Sequence, residues 1–380
     1  MTRVTTKLGE VLHLVGGRKP QLHRLPKAGY LPFLSAKVLR GTEMPEYGDP
    51  KDKNSVLARA DDLVMICTGS NSGEVFTGKI GLVASTMARI DVSPSINQSY
   101  VRYFLQMHFH LLNGAMKGMT IPSLDRQLFN ALTIPVPTLD EQQRIVRRLD
   151  EAVERIDIAK ANAEANLQSA RAIFESHLNS VFADSGRVFE TEELGDVCDF
   201  KGGAQPPKAD FIYEPKLGYV RFLQIRDFGS NRNITYIRES TKNRLCRSDD
   251  ILIGRYGASV GKILTGQTGA YNVALIKAAP KLAKLEPSWL YHYLRSDAFQ
   301  SRLGKIADRS AQAGFSKDDI HAFPIPIPPL TEQQFICSQI NRLEEQIQSL
   351  VSNYSSKLVA IKELRSSLLR QAFVSDPELV

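Results

Sequence analysis

Residues 134–182 align without a gap onto residues 325–373 at a constant offset of 191, and this repeat limits the folds open to the chain. The two copies begin IPVPTLDEQQRIV at Ile134 and IPIPPLTEQQFIC at Ile325, identical at eight of thirteen positions. About forty residues without Gly or Pro follow each connector, which predicts a long helix twice. A chain of 380 residues built on such a repeat folds as two similar bodies rather than around one core.

The blocks ahead of the connectors repeat as well. LGEV at Leu8 to Val11 matches LGDV at Leu194 to Val197, and Gly16-Gly17 with Pro20 matches Gly202-Gly203 with Pro206. YLPFLSAK from Tyr30 matches YVRFLQIR from Tyr219, DDLVMI from Asp61 matches DDILIG from Asp249, and SYVRYFL from Ser99 matches SWLYHYL from Ser288. Short β-rich runs such as LVMIC and DILIG, punctuated by glycines, predict mixed α/β (α+β) domains with short strands. The expected division is a first domain at 1–133, connector and helix at 134–185, a second domain at 186–323, and connector and helix at 324–380.

Asp140 and Thr331 are the expected N-caps, with Gln143 and Gln334 completing a capping box and Glu141 and Glu332 on the first turn. Leu330 and Phe335 fit a hydrophobic staple in the second copy only. Ile336, Ile340, Leu343, Ile347, Leu350 and Tyr354 alternate spacings of four and three, a coiled-coil seam, before the phase slips to Leu358, Ile361, Leu364 and Leu368. The first helix follows with Ile145, Leu149, Ala152, Ile156, Ala159 and Ala163, then Leu167, Ala170 and Ile173. Its alanines admit a bulkier partner, so the two helices are expected to pair antiparallel as a rod of roughly 60 Å.

Net charge is +7, distributed as +6 over 1–131, −3 over 132–185, +5 over 186–323 and −1 over 324–380. Two basic blocks of similar size favour a polyanionic partner. The 43% hydrophobic and 23% charged composition is that of a globular protein, without a membrane-length apolar run or signal peptide, so a cytosolic chain is expected. Cys67, Cys198, Cys246 and Cys337 have no metal or disulfide spacing and read as reduced, mostly buried thiols.

Catalytic signatures are missing. No NPPY- or DPPY-type motif for amino methylation occurs. GRYGASVGKI fails as a phosphate loop, since Tyr256 stands at the first glycine position and Ile263 replaces the Ser/Thr. Glu214-Pro215-Lys216, with Asp196, Asp199 or Asp210 as company, reads as a surface turn before a nuclease site, and His108 and His110 lie in a helical stretch with no third ligand. Binding and spacing are what remain.

Two divergent domains, each closed by IPxPxLxEQQxI and a long helix, resemble the specificity subunit of type I restriction-modification systems over essentially the whole chain. The resemblance implies two target recognition domains, each reading one half of a bipartite double-stranded DNA site. It also implies that the helix pair sets the half-site spacing and docks two methyltransferase subunits, through which restriction subunits join. It implies no catalysis by this chain and no cofactor bound to it, with S-adenosylmethionine, ATP and Mg2+ on the partner subunits.

The expected DNA contacts in the second domain are Gln224 and Arg226, then Arg255, Tyr256, Ser259 and Lys262, with Asn272, Arg309, Gln312 and Lys317 on the same face. The first domain offers Ser35 and Lys37, then Thr68, Ser70, Asn71 and Ser72, with Lys79 close by. Fewer arginines in the first set point to different half-sites. In the connectors, Pro135, Pro137, Glu141, Gln142 and Gln143 match Pro326, Pro328, Glu332, Gln333 and Gln334. The Glu and Gln residues among these read as starting the helices as caps, and the resemblance implies that, as exposed amides, they also contact the methyltransferase subunits. A protein-interaction scaffold on a coiled coil is the alternative.

Overall fold

The computed structural model describes residues 4–115, 122–308 and 314–374. The chain divides into two compact units, Met1–Glu164 with Ser356–Val380, and Ala165–Ser355. Each unit holds one copy of the repeated domain and part of each long helix, Leu139–Val188 and Leu330–Val374.

In the first unit, strands Leu12–Gly16, Met87–Val92, Leu63–Ile66 and Val75–Thr77 neighbour one another in that order, all antiparallel. A second sheet contains Leu31–Leu34 beside Gly81–Val83 in a parallel pair, Phe33 opposite Leu82. The second unit repeats both devices. Cys198–Gly202, Leu275–Pro280, Ile251–Gly254 and Ile263–Leu264 form the antiparallel sheet, and Tyr219–Leu223 runs parallel to Gly269–Tyr271 with Phe222 opposite Ala270. The runs LVMI and ILIG are buried along their whole length, as strands covered on both faces must be. LGEV and LGDV are one-turn helices leading into the first strand of each antiparallel sheet.

The IPxP connectors are strands rather than linkers. Thr133–Pro135 pairs antiparallel with Thr5–Lys7, and Pro324–Pro326 with Thr191–Glu193, so the end of each domain is tied to its start. In a two-stranded ribbon every strand has a free edge, where the missing proline donor breaks no ladder bond. The intervening amides still donate: Val136 to the Val4 carbonyl at 2.8 Å and Ile327 to Glu190 at 2.9 Å. Ile134 and Ile325 are fully buried.

Each core lies between a sheet, a short helix and two long ones. In the first unit Tyr100 and Phe104, on helix Gln98–Met107, pack tilted and edge-on against Phe373 with centroids at 4.8 and 5.4 Å, beside Val146 and Leu149. In the second, Trp289 and Tyr293, on helix Pro287–Arg295, pack tilted and edge-on against Phe182 at 4.7 and 5.7 Å, beside Cys337 and Ile340. Burying each of these rings is worth about 1.5–3 kcal/mol. The start of one long helix thus meets the end of the other within each unit, the antiparallel pairing expected, and Arg365 bonds Asp157 at 3.0 Å in the first.

The seam departs from the expected register. Ile173, Leu350 and Leu364 are exposed, while Phe174 and Leu369 are buried and Val351 partly so. Beyond Ile156 the buried positions in the first helix run Ala163, Ala170, Phe174, Leu178 and Phe182, ending in spacings of four. That stretch packs on the domain as well as on the partner helix, and a straight helix of 3.6 residues per turn drifts from a 3.5-residue seam.

Among the described residues no helix is long and apolar enough to cross a membrane, and no group of three His, Cys, Asp or Glu is placed to hold a metal. The four cysteines are free, and burial pushes Cys67 and Cys246 up to about 11 and Cys198 and Cys337 to about 12, which keeps them as inert thiols.

Candidate nucleic-acid interface

The loops nominated in the second domain follow the ends of neighbouring strands. After Tyr219–Leu223 comes a 3-10 turn, Ile225–Phe228, in which Gln224 and Asp227 cap each other, the Gln224 amide donating to Asp227 Oδ2 at 2.7 Å. This holds Gln224 half-buried and leaves Arg226 exposed. The Asn272 amide donates to the Leu223 carbonyl at 3.1 Å, which sets Asn272 beside Gln224. The Arg255 amide donates to Ala274 at 2.9 Å, bringing in the next loop. Arg255 then donates from Nε to the Phe315 carbonyl at 3.2 Å, with its guanidinium 5.0 Å from the Tyr256 ring centre. Tyr256 bridges Gly314 and is 45% exposed.

Lys317 opens the helix Lys317–His321 just beyond, capped by Ser316, and Lys262 is exposed. Ser259 is half-buried in the turn Gly257–Ser259, which folds so closely over the strand that a Cβ on Gly254 would lie 2.1 Å from the Ser259 carbonyl oxygen. Asn272 bonded to Leu223, the Ala274 amide donating to Asn272 Oδ1, and Arg255 bonded to Ala274 and Phe315 thus bring together the loops that carry Gln224, Asn272, Arg255 and Lys317. Arg309 and Gln312 lie outside the described residues.

The first domain uses the same positions with different chemistry. Ser35 caps helix Ala36–Leu39, accepting from the Val38 amide at 3.2 Å, and Lys37 is exposed 4.0 Å from Glu43. The Ala84 amide donates to Leu34 at 3.3 Å, so alanine stands where the second domain has Asn272. Thr68 bridges Ser123 as Tyr256 bridges Gly314. Asn113 donates to the Ser70 and Ser72 carbonyls at 2.8 and 3.1 Å, shaping a loop on which Ser70 and Asn71 are exposed.

Two of the nominated residues do not join this set. Ser72 is fully buried, its hydroxyl donating to Gly69 at 2.9 Å, and is withdrawn as a surface contact. Lys79 lies beyond Thr77, which pairs with Leu63 at the end of the hairpin opposite to Thr68. Sequence reading passed over Arg40, whose ion pair with Glu74 ties helix Ala36–Leu39 to the Thr68 loop, and Asn113. Neither carries a local signal, because each acts across more than thirty residues of sequence.

The connectors supply the joint between domain and helix, by a route other than the one expected. The helices begin at Leu139 and Leu330, so Asp140 and Thr331 lie within the first turn and do not cap. Thr138 Oγ1 accepts from the Glu141 amide at 3.4 Å, and in the second copy the Pro329 carbonyl accepts from Glu332 and Gln333 at 2.8 and 3.0 Å. Leu330 is itself helical and Phe335 is 60% exposed, so there is no staple.

Gln142 and Gln333 are fully buried, which overturns their reading as exposed amides. Gln142 accepts the Asn97 amide at 2.7 Å and donates to the Pro137 and Ser95 carbonyls at 2.8 and 3.4 Å. Gln333 accepts the Glu286 amide at 2.9 Å and donates to the Pro328 and Lys284 carbonyls, both at 2.8 Å. Asn97 and Glu286 are themselves the N-caps of helices Gln98–Met107 and Pro287–Arg295. Each glutamine thus locks a long helix to the cap of a domain helix. Gln143, Glu332 and Gln334 are exposed and Glu141 half-buried, while Pro135, Pro326 and Pro328 are buried and Pro137 half-buried.

The chain matches the family described as type I restriction modification DNA specificity domain twice, at residues 3–168 and 187–353. It is 24% identical over 371 residues to the type I restriction enzyme MjaVIII specificity subunit of Methanocaldococcus jannaschii, covering 90% of this chain and 86% of that one. It is 20% identical over 347 residues to the EcoBI specificity subunit of Escherichia coli, covering 82% and 73%. Among solved structures, a chain from a study of complex assembly and conformational transition of the type I R-M system shares the fold at a TM-score of 0.78, with 20% identity over 98% of both chains. The HsdS subunit from Thermoanaerobacter tengcongensis does so at 0.55, with 20% identity over 98% and 97%. With the family's domain present in both repeats and its fold reproduced along the chain, this protein belongs to the type I restriction-modification DNA specificity family, whose members confer specificity rather than catalysis.

Proposed function

We propose that the chain reads a bipartite double-stranded DNA target, with residues 1–133 and 186–323 as target recognition domains, one per half-site. The observation that carries this reading is the repeated placement of unlike polar side chains. Ser35 and Gln224 follow equivalent strands, as do the Thr68 and Tyr256 loops, while their residues differ. Equivalent position with different donors and acceptors is what two different half-sites require. Exposed Arg226, Lys262, Lys317 and Lys37 supply phosphate contacts, and Gln224, Asn272, Arg255, Ser70 and Asn71 face base edges.

The long helices act as spacer and as dock for two methyltransferase subunits, with restriction subunits joining through them. Supporting this, Leu139, Ile158, Val359 and Leu364 in the first unit, and Ile173, Phe335 and Leu350 in the second, are exposed apolar residues on these helices. S-adenosylmethionine, ATP and Mg2+ belong to the partner subunits, and the assembly works in the cytoplasm. The test is duplex binding by the full chain with its methyltransferase subunits. Affinity should fall steeply as salt rises and should collapse when one base pair is inserted between half-sites. No duplex binding at low salt, with methyltransferase present, would overturn the proposal.

A further inference from the structure

The two domains differ at an interior position that lies beneath a cavity in the second. Opposite Phe33 of the first domain stands Leu82, fully buried; opposite Phe222 of the second stands Ala270. Leu82 fills its surroundings. A Cβ added to Gly48 would lie 2.8 Å from Leu82 Cδ1, 3.1 Å from Pro20 and 3.4 Å from Leu22. Ala270 is itself buried against Phe222 and Ile237, and lies beneath a half-enclosed cavity of about 440 Å3.

Its floor is apolar and flat-sided. Phe222, Ile237 and Tyr271 are buried beneath it, and Pro206 and Pro207 form a wall. Tyr271 is held in place by its hydroxyl, which donates to the Lys201 carbonyl at 3.0 Å. The rim is cationic, with exposed Arg238, Lys242 and Arg244, none of which makes an ion pair among the described residues. Asp210 and Glu239 also line it, each a carboxylate acceptor without an ion-pair partner among the described residues.

We propose that this cavity is a nucleotide site, taking a planar base that carries an exocyclic amine, with its phosphate on the basic rim. A flat ring against the Pro206 and Pro207 wall would lie over this apolar floor, as extruded bases lie against aromatic and apolar side chains. The volume lies in the range of small-molecule sites. Asp210 and Glu239 accept from an amino group, as carboxylates do from cytosine N4, and Arg238, Lys242 and Arg244 supply the phosphate contact. In the first domain Leu82 stands at the position of Ala270. The nucleotide comes either from bound DNA, as an unstacked base, or from solution.

The sources separate in one experiment on the full chain with its methyltransferase subunits. In the first arm dAMP, dCMP, dTMP and inorganic phosphate are titrated by calorimetry. In the second, duplexes carrying 2-aminopurine are scanned for the fluorescence rise of an unstacked base. Saturable binding of dAMP or dCMP, at least tenfold tighter than dTMP or phosphate, supports the site with a solution source. A fluorescence rise without mononucleotide binding supports it with a DNA source. Either signal should fall at least tenfold in Ala270→Leu, which copies the first domain, and in the exposed pair Lys242→Ala/Arg244→Ala, which leaves the core untouched. Neither signal in the wild type, or signals indifferent to both variants, overturns the proposal. The mononucleotide arm does not depend on duplex recognition, so failure here is distinguishable from failure of the DNA reading.

Discussion

Gln142 Oε1 accepts the amide of Asn97 at 2.7 Å, while Asn97 Oδ1 accepts the Tyr100 amide at 3.0 Å, so one side chain seats the residue that caps the next helix. Gln333 and Glu286 repeat the arrangement in the second unit. Gln333→Leu keeps the volume but strands the Glu286 amide and the Lys284 and Pro328 carbonyls in a buried site. At about 1–3 kcal/mol for each stranded group, a loss of at least about 3 kcal/mol is expected. Trp289 is the single tryptophan and lies fully buried in the second unit, so its fluorescence in a denaturant titration reports that loss. Gln142→Leu should leave the tryptophan transition in place. A Gln333→Leu midpoint within error of the wild type would refute the joint.

Arg295 holds Glu344 through both guanidinium nitrogens, at 2.7 and 3.1 Å, and lies 5.2 Å from the Phe174 ring centre and 4.8 Å from that of Tyr291. Both members are mostly but not wholly buried, with side chains 24% and 20% exposed. In the first domain the aligned residues are Gln106 and Val153, so the pair is no requirement of the fold. Glu344→Leu alone should cost about 2–3 kcal/mol, because it leaves the guanidinium uncompensated, and Arg295→Met/Glu344→Leu should recover most of that. Additive losses in the double-mutant cycle would contradict this account.

The repeat made the duplicated domains, the long helices and their antiparallel pairing legible from sequence, because helical periodicity and internal offset are local properties. What stayed hidden depends on distant partners. IPVP reads as a linker until Thr5–Lys7 is seen beside it. Gln142 reads as an exposed amide until Asn97, 45 residues away, claims it. Ile173 fits a seven-residue seam, yet Phe174 is buried because the helix there meets the domain, at Arg295, as well as its partner helix. Among the reading loops, composition marked the positions but could not tell exposed Asn71 from buried Ser72. The Gly69 turn makes that difference.

His292 is fully buried against the second long helix, its Nε2 at 2.7 Å from Asn341 Oδ1, and faces Arg295, Glu344 and Glu286. Burial holds the imidazole below its ordinary value of 6.5, partly opposed by the Asn341 bond. The unfolded chain therefore takes up this proton at a higher pH than the folded one. Its contribution to stability is full above about pH 6.5 and declines as the pH falls below that value. The aligned pair in the first domain is Tyr103 and Asp150, whose hydroxyl–carboxylate bond has no imidazole to charge. His292→Tyr/Asn341→Asp should flatten the fall in the Trp289-monitored midpoint between pH 7 and 5. An unchanged fall would place the titration elsewhere.

Arg226 and Asn272 occupy neighbouring loops but are expected to fail differently when removed. Arg226 is exposed on the 3-10 turn and is assigned to a phosphate, so Arg226→Ala should weaken binding to all duplexes alike and reduce the slope of log K against log salt by about 0.9. Asn272 is half-buried, with its amide fixed by Leu223 and its side chain aimed at the Ala274 amide. Asn272→Ala should leave the salt slope intact and relax discrimination at one base pair of one half-site, by about 1–3 kcal/mol. Anisotropy titrations on a panel of single-base variants at several salt concentrations separate the two effects. A uniform loss from Asn272→Ala would move it from base reading to backbone contact, and an unchanged salt slope in Arg226→Ala would take Arg226 off the phosphate.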